Sequence, residues 1–139
     1  MTNVVPGEAV LSLDVRHADD RIRLERSARL LQRARDIAAR RGLSVDSEPV
    51  AENQSVPCSP PLASLLTQAV QDLGHPTVTL GSGAGHDAGV MAGITDVAML
   101  FVRCKGGISH NPSESVTEED VAVAIAVLGK FMELLAANR

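Results

Sequence analysis

The most constraining feature of this sequence is an uninterrupted apolar run, VAMLFV, at residues 97–102. A strand with one face on a core and one face in solvent alternates apolar and polar residues, and this run does not. It is typical of a strand covered on both faces, as in a parallel sheet with helices on either side. The run therefore predicts a layered α/β fold built around a buried strand.

Strand and helix patterns alternate along the rest of the chain. Three more strands are predicted from alternating or short apolar patterns, at residues 10–15, 43–56 and 78–80. Helices are predicted in four places: from Asp19 or Asp20 to about Arg41, from Pro60 to Gly74, over residues 86–92, and from Thr117 through Leu135. The order predicts an α/β chain with helices packed on a mostly parallel sheet.

A proline-rich join at residues 57–61 divides this pattern into two pieces, residues 1–57 and residues 58–139. The chain has 139 residues, which is long enough to bury a core. It has two Phe and no Trp or Tyr, so that core must be aliphatic. Aliphatic side chains of this kind suit helices packed on a sheet.

Composition excludes several functional classes. The net charge of -4 argues against a nucleic-acid partner, because such a surface needs a concentrated basic face. The arginine-rich stretch at residues 21–41 also contains acidic residues, which is typical of a solvated helix. No apolar run approaches the roughly 20 residues that cross a bilayer, and the first ten residues do not resemble a signal peptide. We therefore expect a cytoplasmic protein with no membrane partner and with Cys58 and Cys104 as free thiols.

The segment SGAGHDAG, at residues 82–89, directly follows a predicted strand. Glycines let the backbone approach a ligand closely, and amides at a helix start can hold a carboxylate. His86 and Asp87 add polar groups beside them. A tight glycine turn without a ligand explains the same residues, and the segment lacks the spacing of a nucleotide-binding loop.

His110 lies in GGISHNPSE, in the loop after the apolar run. Open α/β sheets usually place their chemistry in loops at the carboxyl ends of strands. A neutral imidazole there could bind zinc, with Glu114 or another group orienting it. A solvated loop histidine is the alternative, because a zinc site needs three or four protein ligands and no HExxH or CxxC lies near His110.

Arg16 and Asn3 form the third candidate site. Arg16 ends the first predicted strand, and Asn3 lies in the segment that approaches it. A guanidinium fork matches the geometry of a carboxylate. A surface arginine without a function is the alternative.

Three motifs occur in a fixed order: NVVPGEAVLSLDVRHADD, SGAGHDA and MLFVRCKGGISHNPSE. Together they resemble the C-terminal half of the metal-dependent amidohydrolases, namely N-carbamoyl-L-amino acid hydrolases, allantoate amidohydrolases and beta-ureidopropionases, which are related to the aminoacylase and carboxypeptidase-like zinc peptidases. The resemblance extends from Asn3 to the last predicted helix. It implies an α+β lid segment at residues 1–57 that mediates dimerisation, followed by part of an α/β zinc-peptidase-like catalytic domain at residues 58–139.

The resemblance also implies roles for individual residues. The histidine of the S-H-x-P-x-E motif is a ligand of a two-metal centre, here His110, with zinc or manganese as the metal. The asparagine and arginine of the first motif bind the carboxylate of a small-molecule substrate, here Asn3 and Arg16. The glycine-rich loop lines the substrate pocket, and its residues here are Gly83, Ala84, Gly85 and His86.

In the family that these motifs resemble, the remaining metal ligands and the general base come from the N-terminal half, so no general base is expected in this chain. The sequence starts just upstream of NVVPG, which suggests a truncated product or an isolated half. One expectation is a hydrolase completed by a separately encoded N-terminal half and assembled as a homodimer. The alternative is an inactive remnant, or a module that binds carboxylates or dimerises. The sequence does not choose among N-carbamoyl amino acids, allantoate and ureido acids as substrates.

Overall fold

A computed structural model describes residues 3–138, which divide into two units, one ending at Ser55 and one beginning at Val56. Within these residues the regular structure consists of α1 (Asp20–Arg40), α2 (Pro60–Asp72), α3 (Asp87–Met91), a 3₁₀ turn (Lys105–Gly107) and α4 (Glu118–Ala137). None of these helices is both long enough and apolar enough to cross a membrane. Met1, Thr2 and Arg139, the ends of the two predicted pieces, lie outside the described residues.

The two ends of α1 follow from the local sequence. The Asp19 carboxylate accepts a hydrogen bond from the Arg21 amide at 2.9 Å, which confirms the predicted N-cap. At the other end Gly42 adopts a positive φ of 68°, and the Leu43 amide donates to the Ala38 carbonyl at 2.9 Å. This is a Schellman ending, in which a glycine adopts the left-handed conformation that other residues avoid.

Helices α2 and α4 also begin as their sequences predict. Pro60 occupies the first turn of α2, where its missing N–H removes no hydrogen bond. At the start of α4 the Thr117 hydroxyl accepts a hydrogen bond from the Asp120 amide at 3.1 Å. The Asp120 carboxylate in turn accepts from the Thr117 hydroxyl at 2.8 Å and from Nε of Arg103 at 3.0 Å.

The core of the second unit lies where α2 packs against α4. Leu66 and Ala69 of α2 and Val127 of α4 are 8%, 0% and 2% exposed. Partly buried apolar side chains surround this core: Val70, Ala98, Leu100, Val123, Phe131 and Leu134. Two of them, Ala98 and Leu100, come from the apolar run, so this run is anchored to the helices through alternate residues.

The predicted α/β fold is wrong for the part of the chain that the structure describes. Residues 3–138 contain helices and irregular segments, but no strand and no sheet. None of the four predicted strands forms, at residues 10–15, 43–56, 78–80 or 97–102. The mostly parallel sheet on which the helices were expected to pack is therefore also wrong for these residues.

The physical reason is that a strand needs a neighbouring strand to satisfy its backbone N–H and C=O groups. An apolar pattern identifies side chains that need burial, but it does not supply the second strand. In the apolar run the Val97 carbonyl accepts a hydrogen bond from the Ser59 amide, at the N-terminus of α2, at 2.7 Å. Phe101 and Val102 remain 48% and 38% exposed, so this run is not covered on both faces as predicted.

In the first unit, side chains hold the segment that follows α1. Arg23 pairs with Asp20 at 2.9 Å and with Glu52 at 3.2 Å, and Asp20 accepts a hydrogen bond from the Ser55 amide at 3.0 Å. The hydrogen bonds from Arg23 and then Ser55 lower the pKa of Asp20. These contacts replace the strand predicted over residues 43–56.

Leu66→Ala tests the core between α2 and α4. We expect it to lower the free energy of unfolding of the second unit by about 2–4 kcal/mol, because truncating this buried side chain leaves a cavity in the core. Urea titration followed by circular dichroism measures the loss. The matched control is Leu128→Ala on α4, where the leucine is 47% exposed and a loss below about 1 kcal/mol is expected. Equal losses in the two variants would contradict this packing.

Asp120 predicts an acid-dependent loss of stability. Hydrogen bonds from Thr117 and then Arg103 lower its pKa. Its contribution is therefore complete above the ordinary aspartate pKa of about 3.9 and disappears as pH falls through the lower folded value. Thermal melts from pH 7 to pH 2.5 should show Asp120→Asn less stable than the wild type at neutral pH, with the two curves converging below about pH 4. The exposed Asp96 supplies the control Asp96→Asn, and parallel wild-type and Asp120→Asn curves would refute the prediction.

Candidate functional site

His86 sits at the N-cap of the short helix α3 and is held by a serine four residues earlier. The Ser82 hydroxyl lies 2.6 Å from Nε2 of His86 and accepts a hydrogen bond from the Ala84 amide at 3.1 Å. On its other side the His86 ring meets Phe101 edge to face, with ring centroids 5.9 Å apart. The glycine-rich loop is therefore connected to the apolar run through this histidine.

Sequence reasoning identified His86 but neither of its partners. Ser82 could have been found as a hydroxyl at turn spacing before a histidine, since serine side chains often bond to nearby groups in turns. Phe101 offered no such signal, because its contact joins residues 15 positions apart. Helix α3 spans five residues, all within the helix predicted over residues 86–92.

His110 lies in the loop that follows the 3₁₀ turn. Gly106 and Gly107 adopt positive φ values of 66° and 70°, and His110 itself has a φ of 57°. This left-handed region is uncommon for a residue other than glycine. The Ser109 hydroxyl lies 2.6 Å from Nδ1 of His110, so Nε2 is the ring nitrogen available to a further ligand.

Glu114 contacts the backbone of His110, whereas Ser109 contacts its ring. One Glu114 carboxylate oxygen accepts a hydrogen bond from the His110 amide at 2.7 Å. The other lies 3.6 Å from the thiol of Cys104, and burial, followed by this contact with Glu114, raises the pKa of that thiol. Ser109 is therefore the neighbour of the ring that the sequence did not indicate, and Glu114 contacts His110 at its peptide amide and not at its imidazole.

Arg16 and Asn3 belong to the first unit. The Nε of Arg16 donates to both carboxylate oxygens of Asp14 at 3.0 Å, and a terminal nitrogen donates to one of them at 2.6 Å. These bonds lower the pKa of Asp14 and raise that of Arg16. Both side chains are exposed, as is Asn3. Arg16 thus already binds a carboxylate, supplied by its own chain.

Among residues 3–138, no three His, Cys, Asp or Glu side chains come close enough together to hold a metal ion. A cleft of about 350 Å³ lies beside Cys58 and Asp96, but none of the predicted site residues lines it. In the second unit the predicted site residues lie in two loops, one that carries His86 and one that carries His110, and not in this cleft.

Residues 4–134 match the model of the peptidase family M20/M25/M40. The chain belongs to this family. The match confirms the resemblance drawn from the three ordered motifs. Members of this family generally use divalent metal ions.

Curated relatives in the family carry amidohydrolase or deiminase names. The chain is 38% identical to a "Probable allantoate deiminase" of Oryza sativa subsp. japonica over an alignment of 147 residues. This alignment covers 95% of this chain and 29% of the relative. It is 36% identical to an "N-carbamoyl-L-amino acid amidohydrolase" of Geobacillus stearothermophilus, with 91% and 31% covered. It is 30% identical to the "Allantoate amidohydrolase" of Escherichia coli (strain K12), with 96% and 33% covered. The chain thus spans about a third of the length of these relatives.

The described residues do not form a divalent metal site by themselves. A catalytic zinc site takes three protein ligands, and residues 3–138 bring no three candidate ligands together. His110 can contribute one imidazole nitrogen, which alone would hold an ion weakly. Any metal of the family would therefore need ligands from elsewhere.

Ser82→Ala tests how His86 is held. We expect the loss of the hydroxyl to free the imidazole and to weaken the nuclear Overhauser effects between the rings of His86 and Phe101 by at least half. Ser64→Ala, on the exposed side of α2, is the matched control and should leave these signals unchanged. Ring contacts of full strength in Ser82→Ala would show that this serine does not position His86.

Proposed function

We propose that this chain is part of a metal-dependent hydrolase of linear amides that acts on an N-carbamoyl-L-amino acid, allantoate or a related ureido acid. The observation that carries the proposal is the family match over residues 4–134, with all three motifs in order. Relatives that align over more than nine-tenths of this chain are named allantoate deiminase, allantoate amidohydrolase and N-carbamoyl-L-amino acid amidohydrolase.

In this proposal His110 provides one ligand to a zinc or manganese ion. The contact between Nδ1 and the Ser109 hydroxyl supports the role, because a hydrogen bond at one ring nitrogen fixes the orientation of the other. The other metal ligands and the general base would come from a separately encoded N-terminal half. This chain by itself would be incomplete and inactive.

Arg16 and Asn3 bind the substrate carboxylate in the same proposal, and the loop of Gly83, Ala84, Gly85 and His86 lines the pocket. The bidentate contact between Arg16 and Asp14 supports the first role. It demonstrates a guanidinium presented in a geometry that suits a carboxylate. Because the pair is exposed, a substrate carboxylate can compete with Asp14 for Arg16 at little cost.

The domain roles and partners are proposed on the same basis. Residues 1–57 would be the end of a lid and dimerisation domain, and residues 58–139 the end of the catalytic domain. The assembled enzyme would be a cytoplasmic homodimer.

A second candidate is a catalytically inactive remnant that still binds carboxylates or dimerises. The exposed guanidinium of Arg16, which binds the Asp14 carboxylate, favours it, because binding of a carboxylate by arginine needs no metal ion. Isothermal titration with small carboxylates would detect this activity as saturable heat that is lost in Arg16→Ala.

An assay on N-carbamoyl amino acids and allantoate tests the main proposal. The chain is mixed with zinc or manganese, with and without a separately supplied N-terminal half of a family member, and the release of ammonia is followed. Turnover is expected only when the half and the metal are both present. Turnover by the chain alone would contradict the proposal that it needs ligands from another segment. No turnover in any mixture would favour the second candidate, the inactive remnant.

Single substitutions in the active mixture test the residue roles. Arg16→Lys should lower kcat/KM by about 10–100-fold, because lysine cannot form the two-pronged contact with a carboxylate. The control Arg33→Lys alters an exposed arginine on α1 and should leave kcat/KM within about twofold. An unchanged kcat/KM in Arg16→Lys would remove this residue from the substrate site.

A further inference from the structure

The backbone at His110 is held in an unfavourable conformation. Among residues 3–138, His110 is the one residue other than glycine with a positive φ, at 57°. The left-handed region brings Cβ close to the backbone of an L-residue, and although histidine adopts it more often than most residues, contacts from the surroundings are what stabilise it at a single position. The glycines at positions 106 and 107 permit a tight turn before it, but they do not impose a conformation three residues later.

The contact that can impose it comes from Glu114. Its carboxylate lies between two donors, with the His110 amide 2.7 Å from one oxygen and the Cys104 thiol 3.6 Å from the other. The hydrogen bond from the His110 amide is short and has a charged acceptor, which places it among the stronger hydrogen bonds of proteins. One side chain thus joins the start of the loop to its histidine.

Backbone hydrogen bonds hold Glu114 in place from both sides. Its own amide donates to the Asn111 carbonyl at 2.9 Å. The carbonyl of the next residue, Ser115, accepts a hydrogen bond from the Lys105 amide at 2.7 Å, which closes the loop at its base. The backbone of Glu114 is therefore fixed on both sides, while its carboxylate binds the amide of His110.

We infer that Glu114 is the positioning residue of His110: by binding the amide, it holds the left-handed backbone and so sets the direction in which the imidazole projects. Its action on the ring is indirect, and Ser109 then orients the ring itself. The consequence for metal binding rests on the proposed function. The conformational role does not, and it can be measured on the full chain without a metal.

Nuclear magnetic resonance of the full chain tests the inference. A positive φ brings the amide proton close to Hα of the same residue, so the wild type should show a strong intraresidue Overhauser effect at His110. In Glu114→Ala this signal should fall to the level of ordinary loop residues, and amide exchange at His110 should accelerate about tenfold. Glu119→Ala removes another exposed glutamate of the same unit and should change neither signal.

Two further variants separate positioning from general loop damage. Cys104→Ala removes the second donor to Glu114 and should retain the strong effect at His110. Glu114→Gln retains an oxygen that can accept from the His110 amide but loses the charge, so the effect should persist with intermediate exchange. This variant also serves if Glu114→Ala does not fold. An unchanged Overhauser effect in Glu114→Ala, or unchanged exchange in Glu114→Gln, would overturn the inference.

The metal affinity of the mixture of this chain with an N-terminal half measures whether the position of His110 matters for metal binding. Glu114→Ala should weaken binding about 10–100-fold, the usual effect of removing a group that supports a ligand, while Cys104→Ala should leave it within about threefold. If Glu114→Ala relaxes His110 but no mixture binds metal or turns over, the positioning role stands and the proposed function fails. If wild-type turnover occurs while His110 keeps its conformation in Glu114→Ala, the reverse holds.

Discussion

The packing of α2 against α4 is the interaction on which the second unit depends. Leu66, Ala69 and Val127 form its buried centre, and Ala98 and Leu100 anchor the apolar run to it. Both candidate loops are connected to that run, one through the contact of His86 with Phe101 and the other by following it in the sequence, after Arg103 and Cys104. A small aliphatic core therefore anchors the run from which both histidine loops are reached, although it leaves Phe101 and Val102 exposed.

Helices were predictable from the sequence, whereas strands were not, and the difference is physical. The signals at Asp19, Pro60 and Thr117 act within a few residues, so the sequence alone specifies them. A strand depends on a second segment that can be far away or absent. The apolar run at residues 97–102 illustrates this. Its pattern correctly indicated that side chains would be buried, but those that are partly buried pack against two helices and not within a sheet.

The same distinction applies to the candidate site. The histidines and the arginine were recognisable as residue types within motifs, and the family they indicated is confirmed. Their hydrogen-bonding partners were harder to predict from the sequence. These partners are Asp14 for Arg16, Ser82 for His86, and Ser109 with Glu114 for His110. These contacts depend on the turn that the backbone adopts, and histidine, although enriched at positive φ, adopts it too rarely for residue type to predict it at one position.

The proposed function depends most on His110 as a ligand to a metal that this chain would share with another segment. Pulsed electron paramagnetic resonance on manganese bound to the mixture, with only this chain labelled with ¹⁵N, tests it most directly. A directly bound imidazole of His110 should give a ¹⁵N coupling that disappears in His110→Gln. Stoichiometric manganese binding without any ¹⁵N coupling would contradict it.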